Sequence, residues 1–268
     1  MRENGPRPPG GLQTNLVFSN RVLGYIFLGL LLSPGLASAD PASDAAYASV
    51  LERFVRDGRV DYAALKYSRA GLDLFLADAS NLQRSEFSAW PKPDRLAFLI
   101  NVYNAATLRL IIDRYPIKSI RKIGPLWNPK APWTQPVVTL FGSPTSLDDL
   151  EQRMIRPAFQ EPRVHFALVC AARGCPPLRS EPYEGARLNA QLDNQAWIFL
   201  TQNSKNSLDE TTKTAYLSPI FKWYLKDFGG SKKSLLAYLK KWLPAAENYY
   251  IEWTPYDWSL NDRPPGPL

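Results

Sequence analysis

Residues 163–179 read RVHFALVCAARGCPPLR, and they hold the only histidine of the chain, His165, and its only two cysteines, Cys170 and Cys175. A reaction that needs an imidazole must therefore use His165. A reaction that needs a thiol must use a position within ten residues of that histidine. Any reaction that uses an imidazole or a thiol of this chain must therefore take place at residues 163–179.

The first half of the stretch, residues 164–169, is a short apolar run with β-branched and aromatic members, which predicts a buried strand. Side chains alternate between the faces of a strand, so His165 and Cys170 are expected on opposite faces. Segment 171–177 contains a glycine and two prolines and predicts a stiff loop after that strand. Cys175 is therefore the thiol better placed to fold back toward His165.

Three interpretations of the stretch stay open at this point. His165 could deprotonate a cysteine in a nucleophilic pair, the two cysteines could form a disulfide, or all three could be packed core residues. One histidine and two cysteines at these gaps match no common zinc spacing, so no metal site is predicted.

The composition is that of a globular protein. The chain has 268 residues, of which 45% are hydrophobic and 21% charged, which is enough for one substantial core and argues against disorder. The formal net charge is +7, but the basic residues are scattered and form no nucleic-acid motif. A nucleic acid is therefore not an expected partner, and nothing in the pattern calls for a cofactor.

Residues 1–39 have the three parts of an export signal. Basic residues precede an apolar segment at 22–32, and the small residues 37–39 supply a cleavage site before Asp40. The sequence thus predicts a periplasmic or secreted protein with a single domain at 40–268, touching a membrane only through its signal segment. An uncleaved anchor helix is the alternative. Export would place both cysteines in an oxidising space, which favours the disulfide.

The most apolar predicted helix runs from Pro93 to about Arg114 and is expected to be buried on most sides. Asn101 and Asn104 lie three residues apart on one face of it. A buried amide without a partner costs about 1–3 kcal/mol, so a loop backbone, the other asparagine or a functional site must meet each amide.

Strands are predicted near 137–141, 164–169, 215–217 and 249–253, scattered among helices. This order favours a helix-rich α+β single domain with a small antiparallel sheet. Glu151 falls in a helix predicted to end near Arg156, directly before the cysteine stretch. It is a candidate third member beside His165, although most glutamates are surface residues.

A later predicted helix carries Lys222, Trp223 and Tyr224, where the lysine could fix an anion or simply extend into solvent. An aromatic set could line a groove for a peptide or a glycan. Its members are Trp127, Trp133, Trp223, Tyr224 and Trp258.

Five motifs in order give the chain a family resemblance. They are LAFLINVYNAATL (96–108), SLDDLEQRMIRP (146–157), VHFALVCAARGCPPLR (164–179), LSPIFKWYLKDFG (217–229) and YDWSLN (256–261). The chain resembles the domain of unknown function 547 family from about residue 47 to 261. The resemblance implies a domain more than a mechanism. In that family the helix after the hairpin often carries Glu-His, where this chain has Glu151-Gln152.

The leading functional hypothesis is an exported thiol-dependent hydrolase or acyl-transfer enzyme. Cys175 would be the nucleophile and His165 the base, with Glu151 or an asparagine, Asn101 or Asn104, orienting the imidazole. The second hypothesis is a non-catalytic module that binds a small molecule, peptide or glycan in a groove lined by this aromatic set, with a structural disulfide between the two cysteines. The candidate binding residues are Asn104, Cys170, Lys222, Trp223 and Tyr224.

Overall fold

A single long helix, α5 (Lys92–Ile112), forms the centre of the computed structural model, which describes residues 41–125, 127–246 and 248–263. A proline and Asp94 in its first turn suit a helix N-terminus, and Asp113 closes it. The bounds agree with the predicted helix to within two residues. Among the described residues it is the one helix long and apolar enough to cross a membrane. However, 89% of its most apolar 18-residue segment is buried inside the fold.

Helices of the N-terminal half pack around α5. Helix α1 packs against α3, and α3 packs against α5. The bounds of these helices are α1 Pro41–Phe54, α2 Tyr62–Tyr67, α3 Ala70–Asn81 and α4 Arg84–Ala89. Residues 1–39, predicted to be an export signal, lie outside the described residues.

Two short hairpins are built on tight turns. Strands β1 (Val55–Arg56) and β2 (Arg59–Val60) flank Asp57 and Gly58, which have φ of 52° and 74°. Two consecutive positive φ angles are the geometry of a two-residue hairpin turn. A Cβ at Gly58 would lie 2.2 Å from the Cβ of Pro177, so only glycine fits there. Strands β3 (Pro136–Leu140) and β4 (Ser143–Ser146) form the second antiparallel hairpin.

The third sheet has three strands. Strand β6 (Thr214–Leu217) pairs antiparallel with β5 (Ser207–Asp209) and parallel with β7 (Tyr250–Trp253). The prediction of one antiparallel sheet was wrong in this respect, because the predicted strands are divided between separate sheets and one pairing is parallel. The helix-rich α+β class itself is confirmed.

The strand predicted at 164–169 is absent. Residues Val164–Ala167 form a short helix, α8, whose first amides bond to the carbonyls of residues 161–163. The chain is extended at Leu168, where its backbone forms hydrogen bonds with the side chain of Asn104 in place of a neighbouring strand. No strand stands beside the segment within the described part of the chain, so its apolar run is buried in a helix and a turn.

Helices of the C-terminal half enclose a second core rich in phenylalanine. Phe166 of α8 contacts three other phenylalanines there, at ring-centroid distances of 5.4–6.0 Å. Val164 and Ala167 of the same helix belong to the first core. The remaining helices of the described chain are α6 Ala131–Thr134, a π-helix Asp149–Ile155 that continues as α7 Arg156–Phe159, α9 Leu188–Leu200, α10 Pro219–Trp223, α11 Lys232–Leu239, and 3₁₀ helices at Ile120–Lys122, Gly185–Arg187, Leu225–Phe228 and Pro244–Ala246.

Candidate functional site

The two cysteines form a disulfide. Cys170 and Cys175 are bonded with a Cα–Cα distance of 6.1 Å, and the chain has no other cysteine. A disulfide sulfur carries no proton and is not a nucleophile, so this form of the protein has no Cys175 thiolate for His165 to activate. The hydroxyl of Tyr256 lies 3.2 Å from one sulfur and 3.1 Å from the other. The disulfide is thereby fixed against an aromatic side chain.

His165 pairs with a carboxylate. Its Nε2 lies 2.7 Å from Oδ2 of Asp227, a residue of the 3₁₀ helix Leu225–Phe228. Arg156 at the start of α7 donates to both oxygens of the same carboxylate, at 2.7 and 2.8 Å. The bonds from His165 and then from Arg156 hold the pKa of Asp227 far below its usual range. The imidazole is thus held by an ionised carboxylate that is itself fixed by a bidentate arginine.

Glu151 is a buried carboxyl group beside this pair. Burial raises its pKa, against the opposing effects of a hydrogen bond with Tyr224 and the nearby His165. The ring of Tyr224 is stacked on the imidazole of His165, with centroids 3.8 Å apart. Tyr224 therefore connects the carboxyl group to the histidine. The structure thus brings together Glu151, His165 and Tyr224, all three of which are candidate site residues from the sequence.

Gln152 closes the arrangement into a ring of contacts. Its Nε2 donates to Oε1 of Glu151 at 3.2 Å, and its Oε1 accepts a hydrogen bond from Arg156. The resemblance implied a histidine at this position in related chains. Here the amide joins the carboxyl group to the arginine. These residues lie on the π-helix and its α-helical continuation, and such π-helical turns are frequent at functional sites.

The ring of contacts opens on a cavity of about 480 Å³. Trp223 and Trp258 stack there with centroids 5.9 Å apart, and Trp133 meets Trp258 edge-on at the same separation. The polar and sulfur-bearing residues of the wall are Lys130, Thr134, Asp148, Glu151, Gln152, His165, Cys170 and Cys175. The aromatic residues of the wall are Tyr103, Trp133, Trp223, Tyr224, Tyr256 and Trp258.

Four of the predicted residues are not part of this wall, and one of them, Trp127 of the predicted aromatic groove, is exposed to solvent. The amide of Asn101 bonds to the backbone of Tyr183 at 2.8 and 2.9 Å, so both of its polar atoms are directed to that loop, and it forms no hydrogen bond with His165. Asn104 likewise bonds to the backbone on either side of Leu168. Lys222 is exposed to solvent. The asparagines therefore hold loops in place, because a buried helix face must satisfy the amides it carries.

Asp227 and Arg156 were missed by the sequence reasoning. Both lie in stretches that carry the family resemblance, but their contacts with each other join residues 71 positions apart. Asp227 lies three residues after Tyr224 in the predicted aromatic helix, and this proximity was the available signal.

Residues 87–200 match a family model described as "Protein of unknown function, DUF547". This segment of the chain belongs to the DUF547 family. The matched segment includes Glu151, His165 and the disulfide, while Asp227 and the aromatic residues after position 200 lie beyond it. No curated protein and no solved structure matches the chain. Within the described residues, no group of three or more metal-ligating side chains converges on a point.

Proposed function

We propose that this DUF547 protein is an exported hydrolase or acyl-transfer enzyme that works by acid–base chemistry on a peptide or glycan held in the aromatic cavity. The observation that carries the proposal is the pairing of two groups in one cavity wall. One is a carboxyl group whose pKa is raised by burial, and the other is an imidazole oriented by an ionised carboxylate.

His165 is suited to act as the base. A neutral imidazole that donates its Nε2 hydrogen to Asp227 carries its free lone pair on Nδ1. Nδ1 has no hydrogen-bond partner among the residues that the structure describes. The same logic of a carboxylate fixing the tautomer of a catalytic histidine operates in hydrolase triads.

Glu151 is suited to act as the acid. Its raised pKa favours the protonated form, which can donate a hydrogen to a leaving group. In the proposed reaction water gives a proton to Nδ1 of His165 as its oxygen bonds to the substrate carbon. The bond from that carbon to the leaving nitrogen or oxygen then breaks, and the leaving atom takes the proton of Glu151. In acyl transfer an alcohol or amine replaces the water.

The thiol version of the mechanism needs Cys175 in its reduced form. A C170S/C175S double variant distinguishes the two versions, since the acid–base reaction does not use sulfur. Activity that survives in this variant supports the acid–base mechanism. Activity that appears only with reductant and disappears in the variant supports Cys175 as the nucleophile.

The test is a screen of ester, peptide and glycoside substrates with the wild-type protein and E151Q, H165N and D227N. We expect E151Q and H165N each to lower kcat/KM by about 10²-fold or more while folding normally. E252Q, which changes an exposed glutamate of β7, is the matched control. Hydrolysis that is equal in wild type, E151Q and H165N would refute the proposal.

A binding module is the second candidate, favoured by the stacked Trp223 and Trp258 and by the disulfide beside them. It predicts that wild-type protein binds peptide or glycan fragments without turning them over. Binding would then be lost in W258A and retained in E151Q.

A further inference from the structure

A second cavity, of about 470 Å³, lies on another side of the disulfide segment. Cys175, Pro176 and Tyr256 line both this cavity and the aromatic one, so the disulfide loop forms a wall common to the two. The second cavity differs in its chemistry, because its wall carries three basic side chains and no tryptophan.

The three basic residues, Arg59, Arg173 and Lys205, come from separate parts of the chain. Arg59 begins β2, Arg173 belongs to the disulfide loop, and Lys205 follows α9. None of the three forms a salt bridge with any residue of the described ranges. Charges of one sign that converge on a cavity without ion partners raise the local concentration of ions of the opposite sign.

Lys205 is the most confined of the three. Its side chain is partly buried, and its Nζ donates a hydrogen bond to the carbonyl of Cys175. Burial, and then the charge of Arg59, lower its pKa to about 8, while Asp257 has a weaker opposing effect. Burial and a neighbouring cation both disfavour the charged form of the Lys205 ammonium. An anion bound between the two cations would favour that charged form.

Two carboxylates also belong to this wall. Asp57 lies at the β1–β2 turn, and Asp257 accepts hydrogen bonds from the backbone amide and the hydroxyl of Ser259 at 2.8 and 2.5 Å. Neither carboxylate lies within ion-pair distance of Arg59, Arg173 or Lys205 in the described structure. The hydrogen bond from Ser259, and then the charges of Arg173 and Lys205, lower the pKa of Asp257, so this carboxylate offsets part of their charge. The charged groups of the wall sum to three positive and two negative, and none of the cations forms a salt bridge within the described residues.

We propose that this second cavity binds an oxyanion, the carboxylate or the phosphate-type group of a ligand, between Arg59, Arg173 and Lys205. Guanidinium groups match both kinds of oxyanion through paired hydrogen bonds, and the ammonium adds a point charge. The site is separate from the acid–base centre, so it stands or falls independently of the proposed reaction.

The test is calorimetric titration of the whole protein with sulfate, standing for a phosphate group, and with acetate, standing for a carboxylate. Both ions keep their charge between about pH 7 and about pH 9. We expect K205M and R173M each to weaken binding of the preferred ion by at least about tenfold. K233M removes an exposed lysine of α11 that does not line this cavity and should bind like wild type.

The pH dependence gives a second measurement. With a pKa of about 8, the charged fraction of Lys205 falls about tenfold between about pH 7 and about pH 9. Wild-type affinity should fall by a comparable factor, and that of K205M should change much less. The groups facing Lys205 that could also contribute are Arg59, Arg173, Asp57 and Asp257. Failure of both ions to bind, or equal binding by wild type, K205M and R173M, would overturn the proposal.

Discussion

At the scale of single residues, Glu151 is a carboxyl group that is buried, whereas most glutamates lie at the surface. A carboxyl group with a raised pKa in the folded protein favours folding in its protonated form. The free energy of unfolding therefore decreases as the pH rises from the pKa of this group in the unfolded state to its pKa in the folded state. Burial therefore makes the ionised form of Glu151 a cost to the fold at neutral pH.

The E151Q variant is predicted to be more stable than wild type at about pH 7, by about 1 kcal/mol, which corresponds to about 2–4 °C in Tm for a chain of this size. The advantage should shrink toward about pH 3, where the wild-type carboxyl group is largely protonated in both states. Urea denaturation at the two pH values measures it. A variant less stable than wild type at about pH 7, with the difference lost at the lower pH, would show that Glu151 is ionised and paired.

The residues of the site differ in how far the sequence could predict them. His165 and Glu151 could be singled out because one is the only histidine and the other precedes the cysteine stretch. Asp227 could not, because its pairing with His165 joins residues 62 positions apart and depends on how the 3₁₀ helix turns. The spacing of residues within one element carries no information about such a contact.

At the scale of elements, the two asparagines of α5 explain how a strand-like sequence came to lie in a helix and a turn. Asn104 accepts from the amide of Val169 and donates to the carbonyl of Ala167, each at 3.0 Å. It thus satisfies the two backbone groups that a neighbouring strand would otherwise satisfy. The apolar run predicted burial correctly, but burial alone does not distinguish a short strand from a short helix.

Removal of this support has a predictable cost. N104A should lower the free energy of unfolding by about 2–4 kcal/mol, because two buried backbone groups lose their partner and a cavity is left. Denaturant unfolding of N104A against N203A, an exposed asparagine, measures the difference. A loss below about 0.5 kcal/mol would mean that water or a shifted loop replaces the side chain.

At the scale of the whole molecule, α8 is the point where the two hydrophobic cores meet, since its residues belong to both. The same few residues supply the imidazole and lead directly into the disulfide loop. The sequence could predict the helix-rich α+β class and the central helix, because both depend on patterns within one segment. It could not predict which strands pair, since short strands of similar composition fit several partners.

The disulfide between Cys170 and Cys175 is of the kind expected in an exported protein. A bridge that closes so short a loop is expected to stabilise the fold by about 2 kcal/mol. It persists in an oxidising space and is reduced in a cytosolic one. The predicted signal at 1–39 and the bridge between Cys170 and Cys175 therefore support one another as parts of a single proposal, that the protein is exported.

Export gives a prediction about the molecule as it is recovered from cells. The full chain, expressed in a bacterium with a secretory pathway, should yield an exported product that begins at Asp40 and labels no thiol without reductant. The same chain begun at Asp40 and kept in the cytosol should label two thiols and unfold with about 2 kcal/mol less free energy. Mass spectrometry after thiol labelling measures the first difference, and urea denaturation measures the second.

A C170S/C175S variant is the control. It should be equally stable from both compartments, which would assign the difference in stability to the disulfide. An exported product that retains residues 1–39, or that labels two thiols, would contradict the proposed route.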